Sequence, residues 1–170
     1  MKRVNKMKEG LQDELQQHLN KWQNKLSEYE IPQIKEAFEW VKANLEEEVC
    51  LVITYLRSSA ITGKHIFKIA LYKKTPFNHE AIWHRFINLS SLYQPDSDLD
   101  EQLIKTIKNK FIRTATYELE EIRRYYVISL YQQSQFLFKP YLAKTGENQD
   151  SIPVYYGEEL GETQVIGVMK

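Results

Sequence analysis

The chain has 170 residues, 42% hydrophobic and 27% charged, with 23 basic and 23 acidic side chains and a formal net charge of zero. These proportions suit one globular domain spanning 1–170 and exclude a long disordered chain, a collagen-like repeat and a disulfide scaffold. The neutral balance also makes nucleic acid an unlikely partner, because a generic nucleic-acid binder carries a basic surplus.

The first residues, MKRVNKMKEG, are basic but lead into no apolar core, so a secretory signal is not expected. Val4, Met7, Leu11, Leu15, Leu19, Trp22, Leu26 and Tyr29 recur at steps of three and four and predict an amphipathic helix over 3–29. Gly10 weakens its first turns. Ile31-Pro32 interrupts the pattern, and Pro32 can open a second helix whose stripe is Ile34, Phe38, Val41 and Leu45. Glu46, Glu47 and Glu48 follow at the helix end that disfavours carboxylates.

At Val49 the pattern changes. VCLVITYL is β-branched and aromatic, and with the run from His65 to Tyr72 it predicts a β-hairpin around a loop of about six residues. Both runs are apolar at nearly every position, which suggests cover on both faces. Asn78 is a candidate cap for a short helix over 79–93 that turns Ile82, Trp83, Phe86 and Ile87 inward. Ser97 with Asp100 resembles a capping box. The helical pattern then runs over 99–143, as one helix or as two broken near Arg123-Arg124. A polar loop at 144–151 precedes strand, turn and strand near 153–157 and 163–169. The expected fold class is α+β: a small antiparallel sheet with N-terminal helices and a long C-terminal helical segment packed against it. Trp22, Phe38, Val52, Ile53, Ile69, Phe86, Ile107, Phe111 and Ile122 are the expected core.

Chemistry-bearing motifs are sparse. Cys50 is the only cysteine, so no internal disulfide forms, and a cytoplasmic location is expected. The longest mostly apolar stretch, 49–56, is far too short for a bilayer, so no membrane is expected. His79 and His84 are five apart rather than the four that place two ligands on one helix face, so no metal is expected. Thr62-Gly63-Lys64 lacks the upstream glycine and the following hydroxyl of a phosphate loop. No nucleophile, base and orienting group can be assembled from motifs, so neither catalysis nor a cofactor is expected. Arg123-Arg124-Tyr125-Tyr126 is a basic-aromatic cluster, but Tyr126 belongs to the apolar stripe.

Charge layout carries more information. Residues 49–78 hold Arg57, Lys64, Lys68, Lys73 and Lys74 and no acid, whereas 146–169 hold Glu147, Asp150, Glu158, Glu159 and Glu162 and no base. Asp96, Asp98, Asp100 and Glu101 form a second acidic group, and Lys105, Lys108, Lys110 and Arg113 a second basic one. Two readings stand side by side. In one, hairpin lysines face tail glutamates and the patches neutralise each other in the fold. In the other, the acids form a surface aimed at a basic partner.

The segments ALYKKTPF (70–77) and VYYGEELGETQVIGV (154–168), set in an order of helices, hairpin, helices and a terminal strand pair, resemble the small immunity proteins of bacterial polymorphic-toxin and contact-dependent inhibition systems. That resemblance implies a non-enzymatic protein that neutralises a cognate toxin domain by occlusion. Asp96, Asp98, Asp100, Glu101, Tyr155, Tyr156, Glu158, Glu159 and Glu162 are then the expected partner-binding residues, since a toxin that holds phosphates needs a basic surface. The alternative is a nucleic-acid-associated or regulatory protein using the basic 64–74 and 105–113 segments.

Overall fold

The β-branched run at 49 forms the middle strand of a five-stranded sheet. The computed structural model describes residues 2–26, 30–44, 48–77, 80–93, 97–143 and 151–169, and for 97–100 the backbone only. Its strands are β1 (Val49–Tyr55), β2 (Ile66–Lys73), β3 (Trp83–Asn88), β4 (Ile152–Glu158) and β5 (Thr163–Met169), in the order β3-β2-β1-β4-β5. The expected β1/β2 hairpin and β4/β5 pair are present and antiparallel, and β2/β3 is antiparallel too. β1 and β4 run parallel, so the sheet is mixed rather than wholly antiparallel. A parallel pair needs a long crossover, and the helices between β3 and β4 provide it.

Those helices are α5 (Ser90–Tyr93), α6 (Ser97–Lys110) and α7 (Thr116–Gln133); α1 (Lys2–Gly10), α2 (Gln12–Leu26) and α3 (Pro32–Ala43) precede the sheet, and the short α4 (Ser59–Thr62) sits in the hairpin loop. The α+β class stands, with helices packed on one face of a small sheet. Leu51, Ile53 and Tyr55 of β1 and Phe67, Ile69 and Leu71 of β2 meet Leu15, Phe38, Ile122 and Leu130 in the main core. Every residue of β1 is buried, because the other face is also partly covered: Cys50, Val52, Ala70 and Tyr72 pack under Phe77, Ala81 and Tyr155.

Three expectations need correction. The single helix over 3–29 divides at Leu11, where the Gly10 carbonyl accepts a bond from Lys110 Nζ at 3.0 Å and a Cβ on Gly10 would stand 3.1 Å from Phe111. The 99–143 segment breaks at 111–115, not at Arg123-Arg124. Arg113 takes φ 58° there, Arg3 donates to the carbonyls of Ile112 (2.9 Å) and Arg113 (3.2 Å), and Glu118 accepts the Ala115 N–H at 2.9 Å. The buried Glu118 also pairs with Arg3 Nε at 3.3 Å, so α1 clamps this corner. Finally, 83–88 is a strand, not a helix. Pairing with β2 satisfies an edge that a helix would leave open, and strand alternation sends Trp83 and Arg85 to α3, where they meet Trp40 and Glu36. Phe86 therefore lies on the opposite face, 55% exposed, and is not core. Phe111 is half-buried; the other seven expected core residues are buried. Asn78, Glu46, Glu47 and the loop at 144–150 lie outside the described residues, as do the side chains of Ser97 and Asp100.

Candidate protein-binding turn

Sheet register lays out the face turned away from the helices. One row runs His84, Ala70, Val52, Tyr155, Val165, and its neighbour runs Phe86, Lys68, Thr54, Gly157, Thr163. Both edges of this face are apolar and open: Phe86 on β3, and Val165 on β5, which is 49% exposed. At the end of β4 the chain folds tightly over Gly157, where a Cβ would lie 2.1 Å from the Glu162 carbonyl oxygen. Only glycine admits that approach.

The β4/β5 turn that results is held from three sides. Glu159 accepts a hydrogen bond from the Thr54 hydroxyl and pairs with Lys68 Nζ at 2.8 Å. Its own N–H donates to the Tyr55 carbonyl at 3.0 Å. Glu158 faces Arg57 at 3.4 Å. Burial opposes the charge on Lys68, but the bond and attraction from Glu159 outweigh it and hold its pKa above the ordinary value. So anchored, the turn lifts Leu160 into solvent, 86% exposed and in the left-handed region at φ 59°. Glu162 beside it is exposed and enters no ion pair among the described residues.

Two hollows flank the turn. One, of about 530 Å³, is lined by Tyr55, Gln132, Gln135, Glu158 and Glu162 among others. The other, of about 420 Å³, lies on the open sheet face between Lys68, Tyr72, Phe77, His84 and Leu160.

The expected partner-binding residues are thus sorted. Glu158, Glu159 and Glu162 meet at the turn, with Glu158 and Glu159 drawn into the internal neutralisation by Arg57 and Lys68. Tyr155 is half-buried on the open face. Tyr156, its neighbour, points the other way: it is 2% exposed, and its hydroxyl donates to the Tyr131 carbonyl in the core. It presents no surface to a partner. Asp98 and Asp100 sit in the first turn of α6 and Glu101 is exposed there, while Asp96 lies outside the described residues. The described contacts of α6 go to α1 and α2, those of the turn to β1 and β2, and none joins the two acidic groups. Leu160 was missed, because sequence pattern does not distinguish a leucine lifted by a turn from one in a strand.

The basic segments are partly consumed in the same way. Lys74 pairs with Glu48, and Lys110 with Glu14, whose carboxyl it holds below the ordinary range. Cys50 is buried and unpaired, with its thiol pushed up to about 11 by desolvation. Among the described residues no three His, Cys, Asp or Glu side chains gather as a metal site, and no helix is long and apolar enough to cross a membrane.

No family model matches the chain, and no curated protein or solved structure matches it.

Proposed function

We propose that this protein acts in the cytoplasm by binding another protein, with no turnover of its own, and that its partner is a bacterial toxin domain with a basic surface that it occludes. The observation that carries this reading is the braced β4/β5 turn. It offers an exposed leucine at its tip beside a hollow that Glu158 and Glu162 help to line. A partner's arginine or lysine fits that hollow, and Leu160 packs on the surface around it. Because Thr54, Lys68 and Arg57 already fix the turn, little ordering entropy is lost on binding. Exposed carboxylates chiefly raise the association rate, and the apolar contact slows dissociation.

The test is co-expression with the product of the adjacent gene. That product alone should arrest growth, this chain should relieve the arrest, and the two should purify as a complex. Leu160→Asp combined with Glu162→Lys should abolish relief while leaving the fold intact. A harmless neighbour, an arrest this chain does not relieve, or full relief by the double variant would each overturn the reading.

A further inference from the structure

A third cavity, of about 490 Å³, opens on the helix side between the hairpin loop and α7. Its volume is that of a small-molecule site. His65, 6% exposed, belongs to its lining together with the ring of Tyr93, and Arg123 and Arg124 come from α7. Ile61 and Val127 add apolar surface, and Glu120 contributes one carboxylate against the two guanidinium groups.

The His65 ring is fixed in that lining. The backbone N–H of His65 donates to Ser90 Oγ at 3.0 Å, and Nδ1 meets the Tyr131 hydroxyl at 2.5 Å. His65 is among the residues that line the cavity. The ring cannot swing away, because it stacks on Tyr93 at 4.9 Å and 23°. A nine-tenths-buried imidazole held by Tyr131 and Tyr93 is thus a fixed part of the lining of a cavity with two arginines in its wall.

We propose that this cavity binds a small organic anion, with its charged group on Arg123 and Arg124 and its body over Val127 and Ile61 toward His65. Guanidinium groups suit planar or tetrahedral oxyanions, since they offer paired N–H donors. The bond from Arg124 to Glu121, 2.7 Å long, joins two solvent-exposed side chains, and such pairs exchange readily for a better acceptor. The site is separate from the β4/β5 turn and does not rest on the reading given for it.

The experiment is a titration of the isotope-labelled full chain with phenyl phosphate and with inorganic phosphate at constant ionic strength, read at the histidine ring nitrogens. His65 should shift saturably while His18 and His84 do not, and phenyl phosphate should bind more tightly than inorganic phosphate. Arg123→Gln with Arg124→Gln should weaken binding at least tenfold with the backbone spectrum otherwise unchanged. Val127→Trp, which fills the cavity without altering charge, should block phenyl phosphate. A shift that chloride reproduces, one shared equally by the other histidines, or one that survives both variants would overturn the proposal.

Discussion

On the helix side of the sheet, Phe67, Phe138, Tyr131 and Tyr156 meet ring to ring, and the hydroxyls of Tyr93, Tyr131 and Tyr156 each find a partner. On the other side a smaller apolar group is closed by one ion pair and a braced turn, and Phe86 and Val165 are left in solvent. Both faces belong to the same strands, so propensity does not separate them. The difference lies in what covers them: the helices on one face, a loop and a glutamate on the other. Apolar surface that folding leaves uncovered on one face of a sheet is surface that a partner can use.

The sharpest way to break this comparison is to truncate one phenylalanine on each face. Phe67 is fully buried between Tyr55, Tyr93, Tyr131 and Phe138. Phe67→Ala should cost about 3–5 kcal/mol in urea unfolding, and Phe86→Ala about 0.5 kcal/mol or less. Similar losses at both sites would mean that the open face is as structural as the covered one.

The next effect belongs to the covered face alone. Burial lowers the His65 pKa to about 4 from the ordinary 6.5. Between those values the unfolded chain takes up a proton that the native state refuses. Stability therefore falls as pH drops from 6.5 to 4 and levels off below that. The loss should reach about 3 kcal/mol, at 1.36 kcal/mol per pKa unit. Carboxylates titrate over part of the same range, so the measurement is the difference between wild type and His65→Gln. That difference should shrink as pH falls from 7 to 4, and a constant difference would mean that His65 takes up its proton alike in the folded and the unfolded chain.

The Lys68–Glu159 pair tests the other face. Both side chains are mostly buried, at 18% exposure each. Lys68→Met or Glu159→Gln should each cost about 1–2 kcal/mol, because each leaves a charge or acceptor short of its partner. The glutamine keeps an acceptor for Thr54, so the double variant isolates the ion pair and should cost less than the sum. Strict additivity would mean that the two charges hold the turn independently.

Much of this frame was legible in sequence, and the failures have one cause. β1 and β2 follow from β-branched and aromatic runs, β4 and β5 from apolar runs on either side of a charged turn bracketed by Gly157 and Gly161, and the pairing of hairpin bases with tail acids follows from segregated charge. β3 was hidden because Ile82, Trp83, Phe86 and Ile87 fit a helical stripe as well as a strand, and only β2 decides between them. The α6/α7 corner lacks glycine and proline; its carbonyls are bound by Arg3, more than 100 residues away in sequence. His65 and Tyr131 are 66 apart. Local periodicity cannot report such contacts. Tyr155 and Tyr156 are the counterexample: adjacent strand residues point to opposite faces, so treating both as interface residues conflicted with the strand itself.

The smallest expected effect bears on function most directly. Leu160 holds a left-handed backbone that disfavours a branched side chain by about 1–2 kcal/mol, and its side chain touches almost nothing in return. Glycine removes that strain but loses more conformational freedom on folding, an offset of about 0.5–1 kcal/mol. Leu160→Gly should therefore leave the protein as stable as wild type or up to about 1 kcal/mol more stable, measured by urea unfolding. On the open face a strained apolar residue that contributes little to folding is free to serve a contact outside the fold, and the same variant should weaken capture of the proposed partner. Destabilisation by more than about 1 kcal/mol would show instead that Leu160 packs on its own chain, and the turn would lose its standing as a binding surface.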